Sequence, residues 1–132
     1  MGAPNHQDRF RILLVEDEPV IRELVRTMLS DGAVEVQCAN DGTEGLRIAK
    51  TDPRPDMVLL DIVLPGLDGI SLCRILKSDP ETAQMGVFML TAKANRSDID
   101  ASQRAGADGY VQKPFKGADL MDLVEAQRAK KK

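Results

Sequence analysis

The stretch MVLLDIVLPGLDG, residues 57–69, decides the fold. Residues 57–60 are apolar without a break and stop at Asp61, the pattern of a short strand buried on both faces. Pro65 and Gly66 then mark a loop. Asp68 is a good N-cap for a helix that turns Leu72, Cys73 and Leu76 inward. Strand, loop and amphipathic helix make one βα unit.

The same unit recurs on either side. Residues 12–15 and 87–90 are also continuous apolar runs. Val34, Val36 and Cys38 alternate with polar residues, which predicts a half-exposed strand, and residues 109–112 make a short fifth one. Between them lie helical patterns: one opened by Pro19 with Ile21, Leu24, Val25 and Met28 as its stripe, then about 42–51, about 97–105 ending at Gly106, and about 116–129 with Leu120, Leu123 and Val124 inward. Five βα units predict an α/β fold with a doubly wound, five-stranded parallel sheet. The three fully apolar strands belong in the centre and the two weaker ones at the edges, giving the order 2-1-3-4-5. The expected organisation is a flexible segment at 1–9, one domain at 10–129 and a basic tail at 130–132.

Composition narrows the function. The 132 residues are 42% hydrophobic but hold only three Phe, one Tyr and no Trp, so the core is aliphatic. Eighteen basic and 21 acidic side chains give −3, and four of the basic ones fall in the last seven residues, AQRAKKK. The remaining 125 residues carry −7, which argues against a nucleic-acid footprint. The tail cations suit the last turn of a helix. No apolar run approaches the ~18 residues of a membrane span, and MGAPNHQDRF has no signal-peptide core. His6 breaks the myristoylation pattern. Cys38 and Cys73 lie in apolar segments at no metal spacing, so both are expected as small buried hydrophobes, and a reducing cytoplasm is the expected location.

In open α/β sheets, ligands gather beyond the carboxyl ends of the strands. Glu16, Asp17 and Glu18 follow the first strand, Asp61 ends the third, Thr91 the fourth, and Lys113 and Pro114 follow the fifth. Three carboxylates at one switch point raise each other's pKa unless cations compensate. Lys113 supplies one charge; a hard divalent ion, Mg²⁺ by the ligand types, supplies the rest. A carboxylate is a competent nucleophile towards phosphorus, and phosphoryl transfer needs mainly positioning and charge neutralisation.

These segments resemble a response-regulator receiver domain of the CheY type: LLVEDE at 13–18, DIVLPGLDG at 61–69, TA at 91–92 and AGADGYVQKPF at 105–115, over about residues 10–128. The resemblance implies that Asp61 is the phosphoacceptor. It implies that Asp17, Asp61 and the Val63 carbonyl hold Mg²⁺ with help from Glu16, and that Thr91 and Lys113 contact the phosphoryl group. Pro114 would follow a cis peptide bond. Val63 and Lys93 stand where relatives modulate the hydrolytic water. Gly109 departs from the acid common at its position. The implied role is a switch that promotes its own phosphorylation and dephosphorylation rather than a turnover enzyme.

The expected partners are a sensor histidine kinase or histidine phosphotransfer protein, and a downstream protein on the face of the fourth helix, fifth strand and fifth helix that includes Tyr110. A phosphorylation-linked dimer is among the expected assemblies, with no direct nucleic-acid partner and no membrane. The start and end of the chain favour a stand-alone receiver. A flavodoxin would need a hydroxyl-rich loop where Glu16 to Pro19 stand, and a haloacid-dehalogenase-type phosphatase a second Asp at Val63; P-loop and dinucleotide glycine patterns are absent. The alternative of a different class is a receiver-fold interaction module that takes no phosphate.

Overall fold

The computed structural model describes residues 9–29, 32–92 and 96–131. Its elements alternate in chain order: β1 (Phe10–Val15), α1 (Pro19–Leu29), β2 (Val34–Ala39), α2 (Gly42–Ala49), β3 (Met57–Asp61), α3 (Gly69–Ser78), β4 (Gly86–Thr91), α4 (Arg96–Arg104), β5 (Gly109–Gln112) and α5 (Gly117–Lys131). The strands pair in parallel in the order β2-β1-β3-β4-β5. Both β3 and β4 are buried along their whole length, whereas β5 alternates half-buried and exposed, as an edge strand must.

The period of two in each strand divides the core. Ile12 and Leu14 join Met57, Leu59, Phe88 and Leu90 under α1 and α5, which contribute Val25, Leu29, Leu120 and Val124. Leu13 and Val15 join Val58, Leu60, Val87 and Met89 on the other face, beneath Ile48 of α2 and Leu72, Cys73 and Leu76 of α3. All three Phe lie on the α1/α5 face, so the opposite layer is aliphatic throughout.

Some expectations shift. The α1 stripe is rotated: Leu29 is buried with Val25, Ile21 and Met28 are partly buried, and Leu24 is 42% exposed. The row that meets the sheet is the i, i+4 pair 25 and 29. Cys38 is only half-buried, because its strand is at the sheet edge, while Cys73 is buried as expected. Helix α5 continues through Lys130 and Lys131, whose charges, with Arg128, sit in its last turn. Residues 1–8 and Lys132 fall outside the described residues. Among the described residues no helix is long and apolar enough to cross a membrane.

Polar clamps tie the helices to the sheet. Lys77 Nζ donates to the carbonyls of Met85 (2.6 Å) and Ala83 (3.1 Å) and pairs with Asp108 (2.8 Å), whose carboxylate also accepts from Val87 N. Thr82 is fully buried and its Oγ1 donates to the Leu76 carbonyl at 2.6 Å, capping the end of α3. Replacing this hydroxyl with an isosteric methyl leaves that carbonyl without its donor. Thr82→Val is therefore expected to cost about 1–3 kcal/mol in urea unfolding, and Thr82→Ser to recover most of it. Equal stability of Thr82→Val and the wild type would contradict the capping role.

Candidate functional site

The switch point lies where β1 has β2 on one side and β3 on the other. At the carboxyl ends of the strands the chain leaves the hydrophobic layers, and the last residue of a strand or the first beyond it carries the polar groups. Glu16 follows β1, Asp61 closes β3, Thr91 closes β4 and Lys113 follows β5. Asp61, Thr91 and Lys113 border a cavity of about 370 Å³ that Asp17, Glu18, Val63 and Asp98, among others, also line.

Asp61 is held from two sides. Its Oδ1 accepts from the backbone N–H of Val63 at 3.0 Å and its Oδ2 from Lys113 Nζ at 2.9 Å. The same ammonium donates to Glu16 Oε1 at 2.8 Å. Glu16 Oε2 accepts from Glu18 N at 3.3 Å, and the Glu16 carbonyl accepts from Arg22 at 2.9 Å. Lys113 is aimed inward by its own N–H, which donates to the Thr91 carbonyl at 2.7 Å. A cis peptide bond joins Lys113 to Pro114, as the resemblance implied.

Tight packing fixes the loop after Asp61. Gly69 opens α3 so close to β3 that a Cβ there would overlap the Asp61 carbonyl. Its N–H donates to Ile62 O at 3.0 Å, and Asp68 caps the helix by accepting from Ser71 N at 2.8 Å. The N-cap bond, with little burial opposing it, keeps the Asp68 carboxyl below its usual range.

The electrostatics are uneven. Glu16 and Asp61 are buried, whereas Asp17 is exposed. Burial raises the Glu16 carboxyl from 4.5 to about 7; Lys113 pulls it down and Asp61 pushes it up. Burial works against the charge on Lys113, but its bonds to Glu16 and Asp61 outweigh that and hold its pKa above the ordinary value. Among the described residues that line the cavity, Lys113 is the only cation.

Carboxylate oxygens of Glu16, Asp17 and Asp61 all lie within 4.8 Å of one another. This all-oxygen set, one member exposed and two buried, fits a hard divalent cation that keeps several of its waters. The sequence-predicted residues Glu16, Asp17, Asp61, Val63, Thr91 and Lys113 thus meet at one sheet edge. Val63 contributes an N–H to Asp61 while its side chain is 77% exposed. Lys93 lies outside the described residues. Tyr110, 47% exposed on β5, does not line the cavity. Sequence periodicity does not point to Asp98; an acid in the first turn of a helix reads as a dipole complement, and only the placement of α4 brings it to the cavity wall.

Comparison with known proteins agrees with this architecture. The family model for the response regulator receiver domain matches residues 12–125. The transcriptional regulatory protein CseB of Streptomyces coelicolor is 43% identical over 119 residues, 90% of this chain and 49% of that protein. The DNA-binding response regulator MtrA of Mycolicibacterium smegmatis is 39% identical over 90% of this chain and 50% of its own length. The chain therefore spans about half the length of the curated relatives it matches.

Among solved structures, the receiver domain of the sensor histidine kinase PA1611 from Pseudomonas aeruginosa superposes with a TM-score of 0.82 at 34% identity, covering 90% of this chain and 97% of that one; it has a magnesium ion coordinated in its active-site cleft. The Vibrio cholerae chemotaxis protein CheY4 gives 0.83 at 26% identity, covering 89% and 98%. These relatives correct the expected partners, from which nucleic acid was excluded: MtrA is a DNA-binding response regulator and CseB a transcriptional regulator. The charge argument failed because the −7 body describes this chain's own surface, and the relatives are about twice as long. Fold, motif positions and a match over most of its length agree that the chain belongs to the response regulator receiver domain family.

Proposed function

We propose that this receiver takes a phosphoryl group from a phosphohistidine donor onto Asp61, with Mg²⁺ held by Asp17, Asp61, the Val63 carbonyl and, through water, Glu16. The supporting observation is the shared Lys113 ammonium, which lines the cavity and is bonded to both Glu16 and Asp61. The Val63 N–H and Lys113 orient the Asp61 carboxylate, and Thr91 lines the same cavity, where the resemblance implies that its hydroxyl contacts a phosphoryl oxygen. The Asp61 oxygen forms the new O–P bond as the P–N bond to imidazole breaks and the electron pair leaves with the donor nitrogen. Bound Mg²⁺ would neutralise charge on the phosphoryl oxygens. Lys113 stays protonated throughout, since its pKa is held up by its two carboxylate partners. The chain is a self-modifying switch on this reading, not a turnover enzyme, and works in the cytoplasm. The transcriptional relatives support an output in gene expression for the whole protein.

Three outcomes are expected. Asp61→Asn abolishes labelling by a phosphorylated histidine donor while circular dichroism shows an intact fold; equal labelling of variant and wild type would falsify the acceptor assignment. The second concerns protons. Glu16 is neutral below about 7 and a proton there competes with metal. Mg²⁺ affinity, followed by calorimetric titration, should therefore be roughly tenfold weaker at about pH 6 than at about pH 8, and Glu16→Gln should flatten the profile. A profile that stays equally steep in Glu16→Gln would assign the proton elsewhere. The third concerns lifetime. Val63 has no polar atom in its side chain to orient the attacking water, so Val63→Asn should speed loss of the acyl phosphate several-fold. An unchanged or longer half-life would remove Val63 from hydrolysis.

A further inference from the structure

Asp17 is the exposed member of the acidic cluster. Glu16 and Asp61 are fixed through Lys113, and Asp61 also through the Val63 N–H. Those bonds do not reach Asp17, so the course of its backbone decides where its carboxylate points. That backbone is braced by Arg22 of α1. The guanidinium Nη1 donates to the Glu16 carbonyl at 2.9 Å, and the Arg22 backbone N–H donates to the Glu18 carbonyl at 3.1 Å. The two carbonyls flank Asp17, so one residue holds the chain on both sides of it. The Glu16 carbonyl shares its planar peptide group with the Asp17 N–H, and fixing the first orients the second. Val25 and Leu29 anchor the same helix in the core, and Arg22 itself is half-buried. The brace therefore runs from the core through α1 to the loop. Arg22 does not line the cavity.

We propose that Arg22 is a positioning residue of the metal site, which sets the affinity for Mg²⁺ by holding the Glu16–Asp17 peptide. The proposal rests on Asp17 being a Mg²⁺ ligand. Arg22 acts through the backbone of its neighbours, not on the ion or the acceptor. Metal sites are sensitive to such outer contacts, because a ligand left free to turn must be ordered when the ion binds. The guanidinium is also a cation, and a cation beside a cation site weakens binding. The two roles have opposite signs. Loss of the brace weakens Mg²⁺ binding, whereas loss of the charge alone strengthens it.

Calorimetric titration of the full chain with magnesium chloride reads the difference, alongside the urea midpoint of the metal-free protein. Arg22→Met and the shorter Arg22→Ala both lack a donor and both suit a helix. In each, the Mg²⁺ dissociation constant is expected to rise about tenfold. Arg22→Lys keeps a donor and the charge, and recovers most of the loss. Arg26→Met removes the same charge from an exposed position one turn further along α1 and leaves the affinity as it was.

An unchanged affinity in the Arg22 variants, whether or not the urea midpoint falls, would make the contact purely structural and overturn the proposal. Tighter binding would assign the effect to charge, and equal losses in Arg22→Met and Arg26→Met would assign it to the helix as a whole; either result overturns the proposal too. Asp17→Asn keeps the two readings apart. If it weakens Mg²⁺ binding and the Arg22 variants do not, only the positioning role falls. If it binds Mg²⁺ as the wild type does, the metal is not held at Asp17, and both readings fall.

Discussion

A single ammonium group, Lys113 Nζ, 2.8 Å from Glu16 and 2.9 Å from Asp61, is the contact on which the site depends. It joins residues 97 and 52 positions apart, from three strand ends. Two carboxylates buried side by side repel each other and lose hydration. The lysine offsets both costs, yet leaves enough imbalance for the Glu16 carboxyl to sit near 7. The acidic cluster is thus neutralised only in part, a condition suited to recruiting a divalent cation and then a phosphoryl group.

The sheet makes that contact possible. Parallel pairing sends every strand out at the same edge, and the two apolar layers bury the strands so fully that only their ends can carry polar chemistry. Gly69 shows how close the tolerances are, since α3 starts in contact with the Asp61 backbone. The clamps by Lys77 and Thr82 lie towards the opposite end of β4 and hold the sheet and α3 in register.

Much of this can be read from the sequence because the informative signals are short-range. Unbroken apolar runs identify β1, β3 and β4, their continuity places them in the centre, and the polar residue after each run gives Glu16, Asp61 and Thr91. Lys113 follows the short fifth strand, which has no such run, and stands out by the KPF sequence at 113–115 that carries the resemblance. What depends on three-dimensional phase is not legible. The rotation that buries Leu29 and exposes Leu24 differs by a fraction of a turn from the expected stripe. Thr82 and Lys77 bond to backbone carbonyls that any sequence would offer. Asp98 joins the cavity only because α4 lies across it. The charge census described this chain's surface faithfully, but it carried no information on the longer relatives' DNA.

The most direct test of the central claim is to find the phosphorylated atom. The chain is labelled by a phosphohistidine donor in Mg²⁺, its acyl phosphate is reduced with borohydride, and the product is mapped by peptide mass spectrometry. The account predicts conversion of residue 61 alone to homoserine. Conversion at Asp17, Glu16 or any other carboxylate, with Asp61 intact, would contradict it.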